Sequence, residues 1–188
     1  NLKPIFIIGL PRSGSTITEV LLSTGNKKIT SLGEVNIFNG IITNGFSNDK
    51  EFQINLNLVR NEISNFFYEK NYKVKGGFID KSLENFFYID NTFRNIEDNI
   101  FAIFNVLLDK ISWTHSLDSI VKYVDNYLKI INYFQKKYPK NILRVYLAEL
   151  TNNPTKVSQE LYNFCDLKWS DKILNFNQRK DLVISTAS

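Results

Sequence analysis

The sequence predicts an open α/β fold, a parallel sheet with helices on its faces, and three observations carry that prediction. Four consecutive apolar residues, Ile5-Phe6-Ile7-Ile8, break at Gly9-Leu10-Pro11 and lead into a helical run from Ile17 to Leu22, a strand–turn–helix unit. Two further short strands, Gly77-Phe78-Ile79-Asp80 and Ile142 to Leu147, are separated from the first and from each other by amphipathic helices. The 188 residues, 43% apolar and 14% aromatic, suffice for one such domain with a full core.

The opening strand reads as buried on both faces, and an open α/β sheet binds its ligand at the carboxyl end of such strands. Its turn has the spacing of a phosphate-binding loop: Gly9, four residues, Gly14, then two more and a helix. Ser15 stands where a nucleoside-triphosphatase carries its lysine, so the anion cradle is kept without that signature. Backbone N–H groups of the loop and first helical turn converge on one oxyanion, helped by the helix dipole and the hydroxyls of Ser13, Ser15 and Thr16. Arg12 adds a rigid fork of donors suited to phosphate or sulfate oxygens. The plainer alternative is a glycine turn and a capped helix, since Ser and Thr are ordinary capping residues. Capping alone, however, does not require an arginine, two glycines and three hydroxyls within the eight residues Gly9 to Thr16.

A net charge of +4 without a run of five basic residues does not point to nucleic acid, and a small anionic ligand accounts for it. One cysteine excludes an intrachain disulfide, and one cysteine with one histidine makes no zinc pattern. Cys165 reads as a small buried residue on a helix. No run approaches eighteen apolar residues and no leader pattern precedes the first strand, so no membrane partner and a cytoplasmic location are expected. The chain starts at Asn1 and contains no methionine, which suggests a fragment or a processed chain.

In chain order, Thr24-Gly25-Asn26 stops the first helix and Lys28 to Leu32 reads as a short strand. Glu34 follows it just past a turn at Gly33, near the top of the sheet. Gly40 to Asn48 reads as a loop, and Val59, Ile63, Phe66 and Phe67 then mark the apolar face of a helix ending near Lys70 to Lys73. The strand Gly77–Asp80 delivers Asp80 and Lys81 to the same edge as the phosphate loop. Leu117, Ile120, Val121, Val124, Tyr127, Leu128, Ile131, Phe134 and Tyr138 form one stripe of a long helix that Pro139 stops. Asn153 is the expected N-cap and Pro154 the first position of a last helix, with Val157, Leu161, Phe164 and Cys165 on its buried face. By residue type alone, Glu34 is a solvated turn carboxylate and Lys81 a solvated charge at a strand end.

The run Gly9-Leu10-Pro11-Arg12-Ser13-Gly14-Ser15-Thr16 resembles the 5′-phosphosulfate loop of sulfotransferases, which use 3′-phosphoadenosine 5′-phosphosulfate (PAPS) as donor. Within that family it is most similar to bacterial sulfotransferases often fused behind tetratricopeptide repeats, relatives of tyrosylprotein sulfotransferase. The resemblance implies a P-loop NTPase-like three-layer fold, a central parallel sheet flanked by helices. It implies that Arg12, Ser13, Gly14, Ser15 and Thr16 hold the 5′-phosphosulfate and that Glu34 is the general base. Asp80-Lys81-Ser82-Leu83-Glu84-Asn85-Phe86 resembles the family's Asp-Lys-x-Pro-x-Asn-Phe motif with Leu83 in place of proline, which assigns Lys81 to the sulfuryl group and its bridging oxygen.

Phe93 to Ala102 resembles the stretch that binds the 3′-phosphate. Arg94 supplies the clamp, and Ala102 stands where the family has a serine. The family also places a helix and a buried strand before this arginine, where only Tyr88 to Phe93 are present. Trp113-Thr114-His115-Ser116 resembles a recurrent cluster of the bacterial group, assigned to the acceptor side, although a lone histidine more often serves a local hydrogen bond than catalysis. Glu149 to Pro154 resembles part of a Tyr-Glu-x-Leu-x-x-x-Pro stretch, with Leu147 and Ala148 where the tyrosine and glutamate belong. Thr186-Ala187-Ser188 resembles the opening of a loop that folds over the nucleotide, and Ser188 matches a serine that stabilises the transition state.

The implied activity is transfer of a sulfuryl group from PAPS, a co-substrate, to a hydroxyl of a peptide, sugar or small molecule, with no metal, no nucleic acid and no membrane. A single domain over 1–188 is expected, incomplete before Arg94 and after Ser188, with a tetratricopeptide-repeat domain upstream. Two other classes stay open. Ala102, the short segment before Arg94 and the absent lid suit a nucleotide-binding module that has lost turnover. The loop spacing alone suits a P-loop kinase, which the missing lysine opposes and for which Asp80 is the one evident magnesium ligand.

Overall fold

A computed structural model describes residues 3–24, 28–37, 40, 56–74, 76–82, 91–93, 100, 103–105 and 111–178. Along the chain these form β1 (Lys3–Phe6), β2 (Ile8–Gly9), α1 (Ser15–Thr24), β3 (Ile29–Ser31), α2 (Leu56–Glu69), β4 (Gly77–Asp80) and β5 (Asn91–Phe93). There follow α3 (Leu117–Lys137), β6 (Val145–Tyr146), α4 (Leu147–Asn152) and α5 (Pro154–Phe164), with 3-10 turns at Ser112–His115 and Asp171–Gln178.

Every strand pairing among the described residues is parallel, as the strand–helix alternation predicts. β4 lies between β1 and β3, in register from Lys3↔Gly77 to Phe6↔Asp80 and from Ile29↔Gly77 to Ser31↔Ile79. β5 lies between β2 and β6. The opening strand thus passes from one ladder to the other at Ile7, whose N–H still donates to Asp80 O at 2.9 Å.

Side-chain alternation along this strand builds the layers. Ile5 and Ile7 pack with Leu21 and Leu22 of α1, with Val157, Leu161 and Tyr162 of α5, and with Ile173. Phe6 joins Phe78 and the Ile63 and Phe67 face of α2. Ile8 and Leu10 join Ile120, Val124, Tyr127 and Ile131 of α3. Burial on both faces was expected along the whole run, but it is reached only at its end. Ile5 and Phe6 are half-buried while Ile7 and Ile8 are buried, because the α1/α5 and α3 clusters meet around the carboxyl end of the strand.

Several expectations need correction. The strand expected over Ile142 to Leu147 is only Val145–Tyr146, since β5 offers it just two partners, Thr92 and Phe93, and Leu147 already opens α4. Tyr88 to Phe93 still supplies a strand at Asn91–Phe93, because two ladder pairs on each side suffice to seat it. On α3 the buried seam narrows to Ile120, Val124, Tyr127 and Ile131, and Leu117, Val121 and Tyr138 stand exposed. Burial pushes the Tyr127 phenol far above its ordinary range, so it stays neutral. Asn153 and Pro154 occupy the expected positions, but the Asn153 side chain makes no capping hydrogen bond. Phe164 is exposed and Cys165 half-buried just beyond α5, and Ser158 and Tyr162 are the buried partners of Val157 and Leu161 instead. Tyr162 Oη donates to the carbonyls of Leu21 at 2.7 Å and Leu22 at 3.2 Å, closing the carboxyl end of α1. The Gly40–Asn48 loop beyond Gly40 lies outside the described residues.

Gly77 is fixed by its neighbours. A Cβ there would sit 2.5 Å from Lys3 O and 2.8 Å from Ile29 Cδ1, both on the flanking strands. Gly77→Ala is expected to cost about 2 kcal/mol or more, the range for overpacking against atoms that cannot move aside. Urea unfolding measures it, and an unchanged midpoint would contradict the close approach of β1, β4 and β3.

Candidate active site

Three parallel strands end at one edge, and each hands its next residues to the same place. β2 continues into residues 10–14 and α1, β3 into Gly33 and Glu34, and β4 into Lys81 and Ser82. In the first of these loops Ser13 N–H donates to Leu10 O at 3.2 Å, closing a four-residue turn. Pro11 presets its second position, and Arg12 takes the left-handed third position at φ 65°. Gly14 follows at φ 99°, and its carbonyl accepts from Ile17 N–H at 3.1 Å and Thr18 N–H at 3.2 Å, which opens α1. The first N–H groups of an α-helix have no intrahelical acceptors, so this turn of α1 offers donors to a ligand. Gly14 also leaves no room for a side chain, since a Cβ would lie 2.8 Å from Leu147 Cδ1.

Within this loop Ser13 is 1% exposed, and its Oγ has no hydrogen-bond partner among the described residues. A buried hydroxyl without a partner is costly, which marks it as a group awaiting one. Ser15 is buried, Thr16 half-buried and Arg12 exposed. An arginine held in the left-handed region costs about 1 kcal/mol, and strain of this kind concentrates where function requires it.

The second loop is pinned at both ends to the end of β4. Lys81 N–H donates to Gly33 O at 2.8 Å and Leu32 N–H to Ile79 O at 2.9 Å. Asn36 N–H donates to Ser82 Oγ at 2.7 Å, while the Ser82 N–H, at 2.9 Å, and hydroxyl both donate to Asp80 Oδ1. Glu34 sits between two left-handed residues, Gly33 at φ 72° and Asn36 at φ 51°, so the loop bends back over Lys81. Lys81 Nζ then donates to Glu34 Oε1 at 2.7 Å. The Lys81 side chain is 2% exposed, and the Glu34 side chain 31%.

Sequence reasoning names Glu34 and Lys81 separately, and the structure brings them into contact. It misses Glu19, whose Oε2 lies 3.9 Å from the same ammonium and whose Oε1 accepts the Ser31 hydroxyl. Glu19 is the sole charge on α1, set in the run Ile17 to Leu22, and that misfit is the signal that could have found it. Ser82 was noted only as part of a motif, and Asp80 beside it keeps one buried oxygen, Oδ2, without a partner among the described residues. Trp113 stacks on Tyr123 with ring centroids 3.8 Å apart and packs against the cluster containing Leu10, while His115 is exposed. Arg94, Ala102, Ser188 and the Leu83–Phe86 half of the Asp-Lys motif lie outside the described residues.

Comparison with known proteins bears on the fold and on the family. A mouse sulfotransferase, SULT7A1, solved in complex with PAP, superposes with a TM-score of 0.56 at 15% identity, over 92% of this chain and 61% of that one. The sulfotransferase of Alicyclobacillus acidocaldarius gives a TM-score of 0.54 at 15% identity, over 89% of this chain and 82% of that one. At such identity these likenesses speak for the fold, a P-loop NTPase-like sheet flanked by helices. An uncharacterized protein of Aquifex aeolicus (strain VF5) is 24% identical over 220 residues, and the match takes in 99% of this chain but 28% of that protein's length. The model of the sulfotransferase family matches residues 4–171, from the opening strand into the last 3-10 turn, and the chain belongs to that family.

Proposed function

We propose that the domain moves a sulfuryl group from PAPS to an acceptor hydroxyl. The contact of Glu34 with Lys81, beside the opening turns of α1, carries the reading. The residues present fit the donor's anionic tail. The N-terminal turn of α1 and the unpartnered Ser13 hydroxyl suit an oxyanion, Arg12 on the same loop carries a positive charge, and Ser15 and Thr16 add hydroxyls at the same turn. In this reading Arg94 holds the 3′-phosphate and Ser188 assists the transition state. Glu34 takes the proton from the acceptor oxygen as that oxygen bonds to sulfur. The bond from sulfur to the bridging phosphate oxygen breaks, and Lys81 offsets the charge that gathers on the leaving oxygen. Positioning and charge stabilisation do most of the work, as in phosphoryl transfer. The same reading takes 1–188 as one catalytic domain acting in the cytoplasm on a peptide, sugar or small-molecule hydroxyl.

Titration calorimetry of the full natural chain with adenosine 3′,5′-bisphosphate tests this, and absence of binding overturns it. Ala102, which removes a hydroxyl from the 3′-phosphate stretch, favours a second reading in which the fold binds nucleotide without turnover. Bisphosphate binding without transfer of labelled sulfate selects that one.

Arg12→Gly separates ligand binding from folding. Stability is expected to stay within about 1 kcal/mol, because relief of the left-handed strain offsets the added freedom of the unfolded chain. Bisphosphate affinity should fall about tenfold or more, the worth of a charge-assisted hydrogen bond. Unchanged affinity would remove Arg12 from the site.

A further inference from the structure

We propose that Glu19 is a positioning residue for Lys81, keeping the ammonium compensated and in place at the moment Glu34 can no longer do so. The inference rests on the sulfuryl-transfer reading and deepens it. Among the described residues, Lys81 has two ion-pair partners, Glu34 from the loop after β3 and Glu19 from α1, and Asp80 precedes it in the chain. In the structure Glu34 is the close partner, at 2.7 Å. Once Glu34 accepts the acceptor's proton it becomes neutral and ceases to balance the ammonium. The Lys81 side chain is 2% exposed, so until charge has gathered on the leaving oxygen the ammonium needs a second carboxylate, since a buried charge without an opposite charge is strongly disfavoured.

Glu19 answers that need with a suitable geometry. Its Oε1 is held by the Ser31 hydroxyl, so the carboxylate cannot swing freely, and its Oε2 faces Lys81 at 3.9 Å. That separation is short enough for Coulomb attraction and too long for a hydrogen bond. Glu19 therefore supplies negative charge without taking up an ammonium donor, and the donors not given to Glu34 stay available for the leaving oxygen. The simpler role, a tie between α1 and β3 through Ser31, makes no use of Oε2.

The test compares wild type, Glu19→Gln, Ser31→Ala, Lys81→Ala and the Glu19→Gln/Lys81→Ala pair in the full natural chain. Bisphosphate affinity is read by calorimetry, and sulfuryl transfer with water as the acceptor oxygen is read as sulfate release from labelled PAPS in a single turnover, normalised to bisphosphate-binding sites. Glu19→Gln keeps the hydrogen bond to Ser31 and should bind the bisphosphate within threefold of wild type. Its rate should drop about 10- to 100-fold, no more than the loss from removing a charge-stabilising donor outright. In the Lys81→Ala background the same change should cost less than about twofold, because residues acting as a unit do not contribute independently. Ser31→Ala, which does not alter a buried charge, should show a smaller loss in the same direction and covers the case in which Glu19→Gln fails to fold. A full rate in Glu19→Gln, or in Ser31→Ala if only that variant folds, overturns the proposal, as do losses that multiply independently in the pair. Wild type that binds bisphosphate but releases no sulfate overturns the positioning role alone. Wild type that binds no bisphosphate overturns the underlying reading.

Discussion

Replacing Lys81 by methionine is expected to lower sulfuryl transfer about 10²- to 10³-fold, the loss seen when a preorganised charge-stabilising donor is removed from an active site. The same change should destabilise the fold by about 3 kcal/mol, the low end for removing one partner of a buried ion pair. Its two carboxylate neighbours share this cost unequally. Glu34 is 31% exposed and can turn to water, whereas Glu19, 11% exposed and tied to Ser31, is left as an uncompensated charge. A Lys81→Arg variant should keep the stability and lose most of the activity. Its planar fork carries the charge, but it cannot place a compact ammonium where the lysine did. Urea unfolding and transfer of labelled sulfate measure the two effects. Methionine with a normal rate would end the assignment of Lys81 to the leaving oxygen, and methionine with normal stability would mean that the pair with Glu34 and Glu19 is not formed in solution.

Glu34→Gln is expected to reduce transfer about 10²- to 10⁴-fold, the contribution of a positioned general base. Stability should change little, because Glu19 still balances the buried ammonium and the glutamine oxygen can still accept from it. Bisphosphate affinity should hold or improve, since the carboxylate at 2.7 Å competes with the ligand's oxyanion for Lys81. This opposite sign separates a base from a scaffold. If Glu34→Gln loses bisphosphate binding along with activity, Glu34 holds the loop together and the base lies elsewhere. If it retains the rate, no proton passes through it. The loop geometry makes the scaffold role the weaker expectation, since backbone contacts to Gly33 O and Asn36 N already fix the segment on either side.

Much of this site was legible before any coordinates. The turn from β2 into α1 follows from residues that dictate their own backbone: Pro11 presets a turn position, Gly14 supplies a left-handed angle and the hydroxyls suit a helix start. α3 was equally plain, through its period and the stop at Pro139, although the width of its buried stripe was overestimated. A stripe says which residues could be covered, and the neighbouring layer decides how many are. For β6 the apolar run overstated the strand, because strand length depends on the partner's length as well as on the residues themselves.

By itself the sequence determined the local pieces, a phosphate-loop turn, a Gly33-Glu34 turn and a strand ending in Asp80-Lys81, since each depends on contacts within a few residues. That these pieces share one edge was expected from the parallel sheet, but only the tertiary structure decided which side chains touch there, by pairing β4 with both β1 and β3. Lys81 and Glu34 are 47 residues apart in sequence, and Glu19 is farther still. No periodicity or motif links such positions, because strand order is set by how whole faces bury against one another and not by any residue's own preference.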